Sequence, residues 1–292
     1  MAERAVGVRA DSVGAALREV GDRLRETGVD RAREEARDLI AALLDVPRFW
    51  PTLHRDAPLD RTVRDAALRA ADRRASGAPF AYAVGRAAFR NLTLDVDERV
   101  LIPRQETEQL VELVLARGGG GVVVDVGTGS GAVALALATE GRYESVIGTD
   151  VSGDAIDVAR RNGLLLAGAL RCPVEWRIGA DLGPVRGERA RVVVSNPPYI
   201  ALAEVAALPE SVRDWEPALA LFGGSDGMRA TSAIVREAPA VLDPGGLLAL
   251  EVDARRAGLV AELVAADGRY CDIHVHVDMA GRERFVLARR EN

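Results

Sequence analysis

The sequence predicts an α/β protein whose larger part is a mainly parallel β-sheet with helices on both faces, preceded by a small helical bundle. Two observations lead to this fold class. From Gly121 onward, short runs of β-branched residues alternate with helical patterns, which is typical of a parallel sheet covered by helices. Before that point, residues 10–76 repeat their apolar residues at helical spacing, which indicates helices alone.

The composition limits the class of protein. A chain of 292 residues with 48% hydrophobic content can bury a large core, and its length suggests about two domains. The net charge of -6 and the pI of about 5.3 argue against a dedicated nucleic-acid-binding protein, which usually carries a basic face. No segment has the ~20 apolar residues of a membrane span, and the N-terminus lacks the layout of a signal peptide. Because the two cysteines have neither metal-site nor disulfide spacing, a cytosolic enzyme is expected.

Residues 1–78 are predicted to form the helical bundle. Asp30 and Asp60 stand where helix N-caps are expected, and prolines separate the helical segments. His54 is isolated among proline and arginine, so we interpret it as a surface residue and not a metal ligand. A bundle ahead of a catalytic domain either recognises a macromolecular substrate or covers a hydrophobic face, and the sequence leaves both open.

A linker at residues 79–104 is expected to contain a β-hairpin, because apolar and polar residues alternate loosely between residues 86 and 102. Pro103 ends this pattern, and a helix is expected to follow as far as about Leu115. Glu106 and Glu108 suit the first turn of that helix, where the positive end of the helix dipole favours carboxylates. Residues 105–292 are then the main domain.

The expected strands and helices of the main domain follow in order. The expected parallel strands are residues 122–126, 146–150, 174–178, 191–195 and 247–252, and the expected helices include residues 132–139 and 154–166. Residues 271–277 and 284–288 are expected to close the chain as an antiparallel pair. His274 and His276 share one face of a strand without a third ligand nearby, so they are interpreted as ordinary strand residues.

A glycine-rich loop follows the first of these strands, and an acid ends the second. Glycines such as Gly127, Gly129 and Gly131 allow a sharp turn and a close approach of a ligand to the strand end. Asp150 is placed to accept hydrogen bonds from a ribose diol. The spacing fits a dinucleotide enzyme through Gly127, Gly129 and Ala132, and it fits an S-adenosylmethionine enzyme better through the three glycines. Asp125 is expected to repel a pyrophosphate and attract a sulfonium or ammonium group.

The stretch Ser195–Ile200 is a second chemical signal, and we call it the ledge. Its two prolines supply no backbone N–H, and each holds its predecessor in an extended conformation. The ledge therefore displays the Asn196 amide and unpaired carbonyls beside the ring of Tyr199. Such a surface suits a planar group that carries N–H bonds. Together with the glycine loop and Asp150, it predicts an S-adenosylmethionine-dependent methyltransferase that acts on a planar nitrogen.

The chain closely resembles the release-factor glutamine methyltransferase family from about residue 30 to its C-terminus. The resemblance rests on four stretches, Leu101–Glu108, Asp125–Ala132, Ser195–Ile200 and Glu216–Gly227. It implies a class I, Rossmann-like methyltransferase fold with a seven-stranded sheet, S-adenosyl-L-methionine as cofactor, and class I peptide chain release factors as partners. The implied reaction methylates the side-chain amide nitrogen of glutamine in a Gly-Gly-Gln motif.

The resemblance also assigns residues. Asn196 and the Pro197 carbonyl would each accept one N–H of the substrate amide, Tyr199 would pack against the glutamine, and Pro198 would complete the substrate site. Arg104, Glu106 and Glu108 would frame the methionine end of the pocket. The implied cofactor-binding residues are Gly127, Thr128, Gly129, Ser130, Gly131, Asp150, Asp181, Leu182 and Asn196. A cytoplasmic monomer is expected, without binding to membranes or nucleic acid.

Some positions depart from the family pattern. Gln105 replaces a usual proline, Asn91 replaces a usual glycine, Leu182 stands where some members have an aromatic residue, and residues 253–256 replace a stretch with Gly and Gln. An adenine-N6 or guanine-N2 nucleic-acid methyltransferase is the alternative, because such enzymes share the Asn-Pro-Pro-Tyr element.

Overall fold

The computed structural model describes residues 11–292. Residues 1–10, which the predicted bundle includes, lie outside the described part. The chain forms two compact units, of which the first contains the described residues up to Gly85 together with Glu210–Trp215, and the second contains Arg86–Pro209 and Glu216–Asn292. The predicted division had placed the hairpin in a linker, and the hairpin lies within the second unit.

The first unit is helical, as the apolar spacing predicts. Its helices are α1 (Val13–Glu26), α2 (Ala32–Leu44), α3 (Trp50–Leu53), α4 (Arg61–Ala75) and α5 (Phe80–Val84), with α9 (Glu210–Arg213) contributed from later in the chain. Leu24, Leu39 and Ile40 are fully buried in its core. His54 is exposed and stacks on Trp50, in agreement with a surface role.

The two predicted N-caps have different outcomes. Asp60 caps α4, since its carboxylate accepts a hydrogen bond from the Thr62 amide at 2.7 Å. The prediction for Asp30 was wrong: the N-cap position of α2 is Arg31, which has a left-handed backbone (φ 55°) and makes no capping hydrogen bond with its side chain. Residue type suggests a cap, but the backbone path decides which residue occupies the position.

The second unit opens with the hairpin and contains the sheet. The hairpin pairs β1 (Arg86–Phe89) with β2 (Leu92–Asp95), so it is shorter than the predicted stretch. The seven sheet strands are β3 (Val122–Val126), β4 (Ser145–Asp150), β5 (Val174–Ile178), β6 (Ala190–Ser195), β7 (Leu242–Glu251), β8 (Tyr270–Val277) and β9 (Glu283–Arg290). The helices are α6 (Gln105–Leu115), α7 (Ala132–Glu140), α8 (Gly153–Leu165), α10 (Ala218–Leu221), α11 (Arg229–Val241) and α12 (Ala257–Asp267).

The sheet has the order β5-β4-β3-β6-β7-β9-β8. The first five strands in this order are parallel, and β9 runs antiparallel to both of its neighbours, which confirms the predicted mainly parallel sheet. Alternate residues of a strand face opposite sides of a sheet. Accordingly, Val123 packs in the core with α6 and α7, whereas Val124 packs in the other core with α11 and α12. Helices cover both faces, so the central strands are buried.

Among residues 11–292, no helix combines the length and apolar character that crossing a membrane requires.

Candidate functional site

The register of the sheet brings the glycine loop, Asp150 and the ledge to one edge. Strand β3 pairs with β6 through Val126 and Ser195, and with β4 through Val126 and Thr149. The residues that follow these pairs therefore meet at the carboxyl ends of neighbouring strands, where open α/β sheets bind ligands. A cleft that is partly open to solvent lies at this edge. Gly127, Gly129, Asp150, Asp181, Asn196, Pro197 and Pro198 line it, among others.

The glycines of the loop have two different structural roles. Gly127 and Gly129 have positive φ (72° and 54°), and among residues 11–292 no atom beyond the adjoining residues lies within 4 Å of where a Cβ would stand. They leave space along the cleft for a ligand to approach the backbone. Gly131 instead faces the ring of Trp176, which is 2.9 Å from the position of an added Cβ. Gly131 is thus required for packing, whereas the first two glycines shape the cleft.

Asp125 is not among the residues that line the cleft, and its expected electrostatic interaction with the ligand stays a prediction. Its side chain is 1% exposed, and one carboxylate oxygen accepts hydrogen bonds from the Thr128 hydroxyl at 2.6 Å and the Ala134 amide at 3.1 Å. The alternation of β3 directs it toward the α7 side of the sheet. Asp125 therefore fixes the glycine loop from behind, and burial raises the pKa of its carboxyl to about 7.

We expect the Asp125→Asn substitution to change the free energy of unfolding in a pH-dependent way. The stability of the variant, relative to that of the native protein, should be greater at neutral pH than at acidic pH. A carboxyl whose pKa is raised on folding stabilises the native state below its unfolded pKa of 3.8, and that contribution is lost as the pH rises toward about 7. The amide keeps an acceptor oxygen but does not ionise. Urea unfolding at pH 5 and pH 8 measures this. Between these two pH values the free-energy difference between variant and native protein should shift toward the variant by ~3 kcal/mol, because the carboxyl titrates over about two pH units above pH 5. No shift would contradict the assignment.

Asp150 ends β4 with its carboxylate at the cleft. One oxygen accepts from the Gly129 amide at 2.9 Å, and the other accepts from the Ser152 amide at 2.9 Å. Burial raises the pKa of this carboxyl, although these backbone donors oppose the shift. Each carboxylate oxygen retains a lone pair for a further donor. Asp150 thus joins the glycine loop to the start of α8 and can accept the hydroxyls of a diol.

The ledge is held by a second extended segment that contains several glycines. Residue Ile200 pairs with Leu221–Gly223 through two backbone hydrogen bonds of 3.0 Å. A Cβ on Gly223 would stand 2.4 Å from the Pro198 carbonyl oxygen, and one on Gly227 would stand 2.3 Å from the Tyr199 carbonyl oxygen. These glycines therefore let two backbone segments pack directly against each other. The Glu216–Gly227 stretch that the sequence singled out is the support of the ledge.

The departure at residues 253–256 adds a charged contact to this support. Arg256 donates to the Asp226 carbonyl at 2.8 Å and to the Glu204 carboxylate at 2.9 Å. Asp253 pairs with Arg255, which also reaches Glu204. In this chain, arginine side chains connect the end of β7 to the segment that supports the ledge.

The predicted framing residues Arg104, Glu106 and Glu108 are not among the residues that line the cleft. Arg104 makes a double hydrogen bond to the buried carboxylate of Glu216, at 2.6 and 2.8 Å. Glu106 lies 3.5 Å from Arg282, and Glu108 accepts the Arg90 amide at 3.0 Å. These contacts hold the start of α6 to the ledge support, to the β8–β9 turn and to the hairpin.

The remaining predicted residues divide between cleft and core. Asp181 lines the cleft, and the Leu182 side chain is buried in the core beside Val185. Ser130 is buried, and its carbonyl accepts a hydrogen bond from Asn162 at 2.9 Å. Burial raises the pKa of Tyr199 to about 12, with the nearby Glu251 carboxylate adding to the shift.

Sequence reasoning assigned no role to two polar residues near the ledge: Thr107, which contacts Asn196, and Glu251, which contacts Thr107. Asn196 donates its side-chain N–H to the Thr107 hydroxyl at 3.0 Å, and Thr107 donates to Glu251 at 2.7 Å. Both residues are buried. An acid at the end of the buried strand β7 was the available signal for Glu251, since that strand end lies at the same edge as Asn196. Cleft residues that the sequence did not single out include Arg99, Arg229 and Ile234.

His274 and His276 lie 6.2 Å apart between ring centroids, and His276 faces Arg117 at 2.8 Å. Within residues 11–292 no group of three or more His, Cys, Asp or Glu side chains is arranged to hold a metal ion.

Two family models match the chain. Residues 15–85 match "PrmC N-terminal domain", and residues 103–210 match "Methyltransferase small domain". Among solved structures, the chain is similar to a methyltransferase from Pyrococcus furiosus, with 20% identity and a TM-score of 0.53 over 70% of this chain and 91% of that one. It is also similar to the hMettl16 catalytic domain in complex with the MAT2A 3′UTR hairpin 6, with 15% identity and a TM-score of 0.52 over 80% and 82%. At these identities the likeness concerns the fold, and it confirms the predicted fold class.

Full-length relatives extend the comparison across both units. The chain is 41% identical to the release factor glutamine methyltransferase of Moorella thermoacetica, over 94% of this chain and 97% of that protein. It is 40% identical to the protein of the same name from Cereibacter sphaeroides, with the same coverage. The predicted resemblance is confirmed: the chain belongs to the release factor glutamine methyltransferase family.

Proposed function

We propose that this protein transfers a methyl group from S-adenosyl-L-methionine to the side-chain amide nitrogen of a glutamine, in the Gly-Gly-Gln motif of class I release factors. The observation that carries the proposal is the position of the Asn196–Pro197 ledge, in the same cleft as Gly127, Gly129 and Asp150. A cofactor site and an acceptor for a planar amide thus share one edge of the sheet. The names of the relatives agree with this substrate.

The residues of the cleft fit the cofactor. The open space beside Gly127 and Gly129 admits a ligand close to the backbone, and the Asp150 carboxylate can accept hydrogen bonds from a ribose diol. S-Adenosyl-L-methionine supplies a methyl group on a positively charged sulfur. Among residues 11–292, two arginines line the cleft, Arg99 and Arg229, and the guanidinium of Arg99 is already engaged in a double hydrogen bond with Asp97, at 2.7 and 2.8 Å.

The ledge supplies the positions that an amide substrate needs. An amide nitrogen is a weak nucleophile because its lone pair is delocalised into the carbonyl group. The Asn196 side-chain oxygen and the Pro197 carbonyl would each accept one N–H, which fixes the nitrogen and aims its lone pair along the line of methyl transfer. Positioning of this kind can supply ~7–11 kcal/mol of the barrier. The same oxygens would stabilise the positive charge that develops on the nitrogen.

Methyl transfer to an amide nitrogen does not require a strong general base. The proton on the methylated amide nitrogen is strongly acidic, so it can pass to water without a dedicated base. The buried carboxyl of Glu251 contacts Thr107 and is not among the groups that line the cleft. Action on release factors implies a cytoplasmic protein, and we expect it to work as a monomer.

The test is methyl transfer to a release factor. The purified protein is incubated with radiolabelled S-adenosyl-L-methionine and a class I release factor, and a Gln→Ala version of the Gly-Gly-Gln motif serves as the matched control. Label is expected in the native factor alone. Label in DNA or ribosomal RNA but in neither factor would instead favour the nucleic-acid alternative, whose binding should weaken steeply with salt.

Replacement of Asp150 by alanine is expected to weaken S-adenosylhomocysteine binding by roughly 10–100-fold, because hydrogen bonds to a charged group contribute ~1.5–3 kcal/mol. Calorimetry measures the affinity. Asp154→Ala is the matched control, since Asp154 is an exposed acid in the first turn of α8 and does not line the cleft. Tight NAD binding without any S-adenosylhomocysteine signal would overturn the cofactor assignment.

A further inference from the structure

A buried chain of hydrogen bonds runs from the ledge to the end of β7. The Asn196 side-chain nitrogen lies 3.0 Å from the Thr107 hydroxyl, which lies 2.7 Å from the Glu251 carboxylate. The three residues come from the ledge, the first turn of α6 and the last position of β7. They are 89 and 144 positions apart in the sequence, so only the fold brings them together.

The donors and acceptors in this series of hydrogen bonds determine which group donates to which. An ionised carboxylate accepts hydrogen bonds and donates none, and a hydroxyl has a single hydrogen to donate. Thr107 must therefore donate to Glu251, and its oxygen is left as an acceptor. An acceptor at that point selects the nitrogen of the Asn196 amide, because the oxygen and nitrogen of an amide are nearly identical in shape. No hydrogen bond from residues 11–292 is then made to the Asn196 oxygen, which remains for a ligand at the cleft.

The surroundings argue against a simple filling role for Glu251. Its side chain is 1% exposed, and burying a carboxyl costs free energy that an apolar residue of similar volume would avoid. The Glu251 carboxylate accepts a hydrogen bond from the Thr107 hydroxyl. The positive charges of Arg284 and Arg104 favour the ionised form of Glu251, and the negative charge of Glu106 disfavours it. Among residues 11–292, the one hydrogen bond of this buried acid is thus made to Thr107, and through it to the ledge.

We propose that Thr107 and Glu251 are positioning residues, which hold the Asn196 amide so that its oxygen, and not its nitrogen, meets the N–H of the substrate. The proposal rests on the proposed function, since it assigns an orientation to the residue that would bind the substrate amide. Thr107 and Glu251 touch neither substrate nor cofactor, and they act through Asn196.

The orientation of the Asn196 side-chain amide depends on whether Glu251 is ionised. A protonated Glu251 can donate its own proton to Thr107, and the threonine hydrogen is then free to point at Asn196 and hold the flipped amide. Burial raises the pKa of Glu251 to about 7, and the groups around it are Arg104, Glu106, Arg284 and the phenol of Tyr199. Turnover should accordingly rise between pH 6 and pH 8 as Glu251 loses its proton.

Kinetics of three variants test the proposal on a release factor. Thr107→Val removes the hydroxyl at constant shape and should lower kcat roughly three- to tenfold, the effect of one hydrogen bond. The KM for S-adenosyl-L-methionine should change less than twofold, and Thr107→Ser should restore most of kcat. Glu251→Gln should lower kcat and flatten the rise between pH 6 and pH 8. Thr139→Val is the control, because the Thr139 hydroxyl bonds only within α7.

A spectroscopic measurement separates this proposal from the proposed function. In ¹⁵N-labelled protein the Asn196 side-chain amide is assigned by its loss in Asn196→Ala. Its two N–H signals should shift in Thr107→Val, should titrate near pH 7 in the native protein, and should not titrate in Glu251→Gln. Failure of the native protein to methylate a release factor would defeat the proposed function alone. The positioning role would be overturned if the Asn196 side-chain N–H signals changed neither in the two variants nor with pH. A native kcat in Thr107→Val would overturn it as well.

Discussion

Replacement of Asn196 by alanine is expected to lower turnover on a release factor by ~10²–10³-fold, the size of loss that follows removal of one preorganised hydrogen-bonding group from a transition state. The change deletes the side-chain oxygen at the cleft and the N–H that Thr107 accepts. The cavity should otherwise keep its shape, because Pro197 and Pro198 fix the backbone of the ledge. Affinity for S-adenosylhomocysteine should change less than about tenfold, since the contact acts mainly in the transition state.

Asn196→Asp is the sharper comparison. Aspartate keeps an acceptor of the same size, so this variant should retain more activity than the alanine variant. It also replaces the N–H that meets Thr107 with a second oxygen, so Thr107 cannot donate to both carboxylates at once. Two nearby carboxylates disfavour double ionisation. The activity of the aspartate variant is therefore expected to fall as the pH rises above 7, in the opposite direction to the native protein.

Single-turnover kinetics with the native protein and both variants measure the effect on the chemical step. If the alanine variant and the native protein transferred methyl groups at equal rates, the ledge would be only the end of a strand. The mechanism proposed for Asn196 would then have to be abandoned.

Replacement of Gly223 by alanine is the second change with a large expected effect. The new methyl group would stand 2.4 Å from the Pro198 carbonyl oxygen and 2.7 Å from the Gly227 carbonyl oxygen. Both neighbours are backbone atoms, so the ledge itself must move. A displacement of about 1 Å at a reacting group can cost ~10²-fold in rate, and overpacking costs ~1–3 kcal/mol of stability. We therefore expect a loss of kcat near that size, with S-adenosylhomocysteine still bound.

Gly258→Ala is the matched control for Gly223→Ala. Gly258 lies in α12, and within residues 11–292 no atom outside its own stretch of helix lies within 4 Å of the position of its Cβ, so alanine should be accommodated there and should stabilise the helix. Thermal unfolding of both variants separates a displaced ledge from a misfolded protein. A Gly223→Ala enzyme with native kcat would show that the glycine segment does not fix the ledge.

The sequence predicts most of the elements because their signals are local. Runs such as residues 122–126 are rich in β-branched residues and are followed by glycine, and the structure places β3 at those residues. The same local signals failed where position depends on the path of the backbone. Asp30 has the chemistry of an N-cap, but α2 begins one residue too late for it.

The predicted site divides in the same way. The glycine loop, Asp150 and the ledge are read from residue types next to strand ends, and the parallel order of the strands then requires them to meet. The separate roles of the glycines within the loop cannot be inferred from residue types next to strand ends. Gly127 and Gly131 look equivalent in the sequence, yet one faces open space and the other faces Trp176. The difference depends on a ring that belongs to another strand.

The sequence by itself determined the fold class, the family and the edge of the sheet where the chemistry is expected, because strand ends and short motifs are local properties. Only the tertiary structure decided which way the side chains point and which distant groups they meet. It placed Asp125 outside the lining of the cleft and joined Asn196 to Thr107 and Glu251. The physical reason is that hydrogen bonds need atoms within about 3.2 Å. Such distances between residues far apart in the chain are set by the packing of α6 and β7 on the sheet.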